Sequence, residues 1–348
     1  TSVAEGYESG TGTAEDPYII RTAAQLKYMQ TQYSGATSQQ YAKGLYFKLA
    51  ASLDMSSGEW TPIANRGTNT NSGWSYFAGN FDGNGYAVKI ASGSASFNGA
   101  GLFEGVSGTV KNLVIAGTAK GSTRAGAVAY TANTGFVIEN VKSFTTISTT
   151  SAKEAYVGGI LGMTKATGKI KNCANYGDVT AQATYCGGIL GYTSAKLEIT
   201  DCVNYGVVTC GANGAGGITG GEVKTGGVTY TNCINYGTIT GVGKVGGIIG
   251  SSYAATVIGC VNYGLITTPE GTTQSKTNTG FAGIVGWTTT NSQISSCANY
   301  GNINGYTNVG GISGYLGAGS SVSDDCTNSG IISAHDNKGD IIGYDANK

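Results

Sequence analysis

Acid–base or nucleophilic chemistry needs groups that converge, and this sequence offers few. Asp and Glu total 20 in 348 residues, the single histidine is His335, and the guanidinium groups are Arg21, Arg66 and Arg124. A polysaccharide lyase or glycosidase would need paired carboxylates, or a carboxylate-held metal with a basic partner. Asp201 and Asp325 occupy equivalent positions in two repeats, but several repeats separate them. No nucleophile and histidine stand in an activating arrangement. No catalytic residue is assigned, and the chain reads as a non-enzyme, with a carbohydrate-active enzyme as the alternative. The eight cysteines include no CxxC pair, so no zinc site is expected. Asp82-Gly83-Asn84-Gly85 has too few side-chain oxygens for calcium and reads as a tight turn. No cofactor is called for.

Residues suited to binding stand out more clearly. Asn65 to Gly73 (NRGTNTNSG) is a polar stretch between Trp60 and Trp74. It reads as a loop leaving the fold, where contacts concentrate. Trp74, Tyr76, Asn65, Arg66, Asn69 and Asn71 are its binding candidates. A second set is Tyr176, Tyr205, Tyr236, Tyr263 and Tyr300, one per repeat. Stacked on each other they would stabilise the array; with open faces they would offer a stripe for sugar rings or another protein.

Two recurring phrases position these residues. One is NCANYG at Asn172, returning as DCVNYG, NCINYG, GCVNYG, SCANYG and DCTNSG; the other is GGILG at Gly158, returning as GGILG, GGITG, GGIIG, AGIVG and GGISG. Successive cysteines Cys173, Cys202, Cys233, Cys260, Cys297 and Cys326 mark a period close to 29 residues. Such a period means a solenoid. Each repeat holds three short apolar segments separated by turn formers, which predicts an all-β, three-sided parallel β-helix. About ten coils at roughly 4.8 Å each give a rod on the order of 45–50 Å long. The cysteine column reads as buried free thiols. The asparagine column (Asn175, Asn204, Asn235, Asn262, Asn299, Asn328) reads as an amide ladder.

The chain divides into 1–44, with a short strand at Tyr18–Ile20 and a helix, and 45–348, the solenoid. Its coils are degenerate to about residue 156 and regular from about 157. Thr22-Ala23-Ala24-Gln25 is a capping box, and the helix it starts is expected to cover the open end of the first coil. Thr145 to Ala155 and Thr267 to Gly280 break the period and read as surface insertions.

Glycine numbers 59 with only three prolines, and net charge is zero. Without a collagen period or a basic stripe, collagen and nucleic-acid binding are excluded. No apolar run is long enough to span a membrane. No signal peptide is present at Thr1, so the chain is expected to begin after one or to be an excised piece.

Gly12 to Met29 (GTAEDPYIIRTAAQLKYM), Trp60-Thr61-Pro62-Ile63, Phe77 to Tyr86 (FAGNFDGNGY), Gly101-Leu102-Phe103 and the GGILG…NCANYG units together resemble bacterial surface proteins carrying the GLUG motif. The resemblance covers nearly the whole chain. It implies a right-handed parallel β-helix, secreted or anchored at the cell surface and adhesin-like. Some relatives carry a protease, but this chain has no HExxH motif, and the family supplies no catalytic residues to transfer. The expected function is extracellular, non-enzymatic adhesion or recognition, with a host or bacterial surface glycan or protein as partner. A purely structural stalk is the further alternative.

Overall fold

The computed structural model describes residues 6–35, 39–67, 73–93, 99–224, 226–272 and 277–348. They form a right-handed parallel β-helix. Three sheets run along it, of 25, 9 and 11 strands. The 11-stranded sheet takes one strand from each coil, so eleven coils stand where about ten were expected.

One repeat shows how the phrases fold. Tyr156–Gly158 lies in the second sheet and Leu161–Thr164 in the third, with Gly159-Ile160 bending the chain between them. Gly168–Lys171, Ala174–Asn175 and Val179–Ala181 then lie in the large first sheet. The registers place Val157 on Cys186, Ile170 on Ile199, Asn175 on Asn204 and Val179 on Val208. Like residues therefore stack on like, and the Ile160, Ile189, Ile218, Ile248, Ile284 and Ile312 column is fully buried in the core.

The residue before each column cysteine turns a corner. Asn172, Asp201, Asn232, Gly259 and Ser296 all adopt left-handed φ, between 49° and 66°. Asn, Asp and Gly tolerate that region best, which is why they recur there. All eight cysteines are buried and free. From Cys173 to Cys297 in the column, each thiol points at a carbonyl two residues back, as Cys202 does at Thr200 (3.4 Å), while Cys326 points at Ile294 O.

Buried behind the next corner is the amide ladder. Each Asn Nδ2 donates to the Oδ1 of the Asn one coil on, at 2.8–2.9 Å, from Asn175 through to Asn328. Each also donates to the carbonyl of the glycine two residues ahead. Every Nδ2 proton is thereby used inside the protein, which a buried polar side chain requires.

At the N-terminal end, Thr22 caps the helix Ala23–Gln32 and Gln25 returns the bond. Leu26 and Met29 enter the core. Tyr18–Ile20 pairs in parallel with Tyr46–Leu49. One expectation needs correcting. Thr145 to Thr149 is not an insertion: it is the end of the strand Phe136–Thr149, with Ile147 in register with Val179. Alternating burial of Thr145, Ile147 and Thr149 inside and polar residues outside holds it in the sheet, so the excursion is confined to 150–155.

Candidate functional site

Where the second sheet bends into the third, the outward side chains of the two sheets form adjacent rows. The second-sheet row runs Arg124, Tyr156, Tyr185, Gly214, Lys244, Gly280. The third-sheet row runs Tyr76, Gly105, Thr131, Met163, Tyr192, Gly221, Ser251, Trp287, Tyr315, Tyr344. Rings from the two rows interleave: Tyr192 lies 4.9 Å from Tyr156 and 5.1 Å from Tyr185 between ring centres. Trp287 and Tyr315 stack at 3.7 Å, and Tyr315 and Tyr344 at 5.3 Å. Near the C-terminal end the rows enclose a cleft of ≈ 410 Å³, with Asn308 and Asn337 on one wall and Trp287, Tyr315 and Tyr344 on the other.

At the other end of the track a buried carboxylate organises the mouth of the Asn65 to Gly73 stretch. Glu104 is fully buried. Its Oε2 accepts from the Arg66 backbone N–H (3.0 Å) and its Oε1 from that of Ser75 (3.4 Å). The Arg66 guanidinium pairs with it at 3.6 Å, and the buried Tyr130 hydroxyl donates to it. Burial pushes the Glu104 pKa up, while these donors and the Arg66 charge hold it back. Glu104 thus fastens together the two chain ends that border the stretch.

Trp74 sits over that base. The Arg66 guanidinium carbon lies 4.0 Å from its ring centre and that of Arg124 4.5 Å. Arg124 also approaches the Tyr156 ring at 5.8 Å. Among the described residues no carboxylate pairs with Arg124, and its buried Nε has no acceptor. Burial lowers its pKa, opposed by the charge of Glu154, which lies nearby but beyond ion-pairing distance. A parallel arrangement recurs at Lys244, whose Nζ lies 4.9 Å from the Trp287 ring centre. No ion pair engages it among the described residues, and burial lowers its pKa too.

The candidates named from sequence are not gathered into one site. Trp74 and Tyr76 lie on the track, both half-buried. Asn65 and Arg66 do not project from the fold as a loop. They are only 3% and 6% exposed, because Asn65 Nδ2 bonds Pro62 O and Arg66 is drawn onto Glu104. Asn69 and Asn71 lie outside the described residues. Tyr176, Tyr205, Tyr236, Tyr263 and Tyr300 form a separate line at another corner. Their rings stack face to face at 4.7–5.1 Å, within 11° of parallel, so it is edges and hydroxyls that meet solvent. Phe144 extends this stack by one ring, at 4.5 Å from Tyr176.

Sequence reasoning missed Glu104, Tyr130, Arg124 and Lys244. The signal was present in the alignment of repeats. Glu104 and Tyr130 occupy the place of Gly162, a glycine whose Cβ would press on neighbouring carbonyls. A large polar residue in a glycine column marks a coil built differently from the rest. Arg124 and Lys244 precede their GGI-type phrases at the place held elsewhere by Tyr156 and Tyr185.

No group of three or more metal-ligating side chains gathers among the described residues. None of their helices is long and apolar enough to cross a membrane. No protein-family model matches the chain, and no curated protein is significantly similar to it. Among solved structures, the crystal structure of "a putative immunoglobulin A1 protease from Bacteroides ovatus" is similar at TM-score 0.51 and 18% identity, covering 94% of this chain and 80% of that one. At that identity the likeness speaks for the fold alone.

Proposed function

We propose that this chain is a non-enzymatic recognition module that works outside the cell and binds a glycan along the track between Trp74 and Tyr344. The observation that carries this reading is the half-exposed Trp74, with the Arg66 and Arg124 guanidinium groups 4.0 and 4.5 Å from its ring centre, beside a base fastened by Glu104. Such a ring is fixed in position, so little conformational entropy is lost when a ligand lands on it. The resemblance to GLUG-motif surface proteins fits an extracellular role.

A second reading, a carbohydrate-active enzyme, draws on the convergence of Glu104, Tyr130 and Arg124. Its weakness is chemical. Both Glu104 oxygens are spent on backbone N–H groups and the side chain has no access to solvent, so it is badly placed to exchange a proton with a substrate. Screening the purified chain against a glycan array and host-matrix proteins, with polysaccharide turnover followed in the same wells, separates the readings. Saturable glycan binding that Trp74→Ala abolishes, without product, is the expected result. Product release would replace this reading with the enzymatic one.

A further inference from the structure

We infer that the glycan is an acidic polysaccharide, and that Arg124 and Lys244 are two anchoring stations for its carboxylates. The inference rests on the track being the glycan site and adds the charge and the length of the ligand.

Arg124 and Lys244 share one row of the second sheet. Each is half-buried, each sits over a tryptophan, and neither has a carboxylate within ion-pairing distance among the described residues. A half-buried cation is costly to leave unpaired. The other cation against Trp74, Arg66, is paired with the buried Glu104. Two unpaired cations in one row, each beside an aromatic ring, make a pattern that a ligand carrying anions and apolar ring faces would complete.

The register fixes their spacing. Tyr156, Tyr185 and Gly214 intervene, so the stations are four coils apart, about 19 Å at the usual strand spacing. A monosaccharide cannot touch both, whereas an extended chain lying along the rod can. Between the stations Tyr185 leans over Gly214 and Gly221, leaving a surface of rings and backbone. An acidic peptide fits less well. Every interior strand is already paired on both sides, so a peptide finds no open edge for main-chain bonding. Rings and amides suit the C–H faces and hydroxyls of sugars. Net charge is zero, so overall attraction for polyanions is weak and any preference must come from local sites.

The test uses the full chain with polyuronate (alginate) of high and low degree of polymerisation, dextran as neutral glycan and polyglutamate as acidic peptide. Binding is measured by calorimetry at low and high salt. Saturable alginate binding that weakens with salt is expected. Arg124→Gln and Lys244→Gln should each reduce affinity by about tenfold or more. The double variant should lose more on long chains, while on a disaccharide the two losses should not combine. Arg124→Lys should recover part of the loss, and Lys169→Gln, on another face, should change nothing. Thermal melts confirm that each variant is folded. Dextran binding that survives Arg124→Gln and Lys244→Gln, with no alginate preference, overturns this inference and leaves the glycan track standing. Binding of polyglutamate alone, or of none of the probes, overturns both.

Discussion

Gly217 lies directly against the side-chain amide of Asn235: a Cβ on Gly217 would fall 2.5 Å from Asn235 Cγ. The same contact recurs between Gly159 and Asn175 and between Gly247 and Asn262. The two recurring phrases are therefore halves of one device, glycine making the room that the amide ladder fills. Asn235 takes part in four hydrogen bonds, with Asn204, Asn262, the Gly237 carbonyl and the Gly237 N–H. Asn235→Ala should cost about 3 kcal/mol, since the removed amide orphans buried groups on both sides. Gly217→Ala should cost about 1–3 kcal/mol by overpacking. Asn175→Ala should cost less than Asn235→Ala, because the Asn175 Oδ1 has no donor in the preceding coil. Urea unfolding of the three variants checks the order.

Glu104 carries a different prediction. Glu104→Gln removes the charge facing Arg66 and puts an N–H₂ where one carboxylate oxygen accepts a backbone N–H. Breaking a buried pair by neutralising one partner costs about 3–5 kcal/mol. The loss should appear as a lowered melting temperature together with altered Trp74 fluorescence, obtained by subtracting the spectrum of the matching Trp74→Phe variant, which carries only Trp60 and Trp287. An unchanged Trp74 signal would mean that Glu104 does not position the ring.

The solenoid was legible in the sequence because stacking forces equivalent residues onto the same environment. A cysteine, an asparagine or an isoleucine that recurs at one place in each repeat must share one place in space, and the registers of Asn175 on Asn204 and Val179 on Val208 show that it does. The track was not legible for the converse reason. Its residues are where the repeats differ: Arg124, Tyr156, Tyr185, Gly214 and Lys244 share a row but no single residue type. Periodicity reports what the fold needs, and ligand chemistry is written in departures from it. The Asn65 to Gly73 stretch misled at its start because composition cannot reveal that a glutamate 38 residues beyond Arg66 will draw that arginine inward.

The tyrosine line makes its own test. Tyr236 stacks on Tyr205 and Tyr263, whereas Tyr300 has Tyr263 as its ring neighbour. At about 0.5–1.5 kcal/mol per aromatic pair, Tyr236→Ala should destabilise about twice as much as Tyr300→Ala. Tyr236→Phe keeps the stack and should leave stability unchanged. Chemical denaturation of the three variants decides this. Applying the Tyr→Phe variants to any ligand found in the binding screen shows whether the exposed hydroxyls also recognise it, since the faces are already occupied by one another.

Glu222 gives the chain a pH dependence. It is fully buried, one oxygen accepts from the Tyr230 hydroxyl at 2.7 Å, and the other has no partner. Burial raises its pKa from 4.5 to about 8, opposed by the Tyr230 hydroxyl and the Tyr253 backbone N–H. The folded state therefore keeps a proton that the unfolded state releases above pH 4.5. Between about 4.5 and 8 the unfolded chain binds fewer protons, so stability must fall as pH rises, by about 1.4 kcal/mol per unit, and level off above 8. Glu222→Gln removes the titration while keeping a similar shape. Wild type and variant should be alike near pH 4.5, and the variant should be more stable by about 3 kcal/mol near pH 7. Unfolding measured across that range for both proteins checks the prediction. Parallel pH profiles would show that Glu222 is not the group that holds the proton.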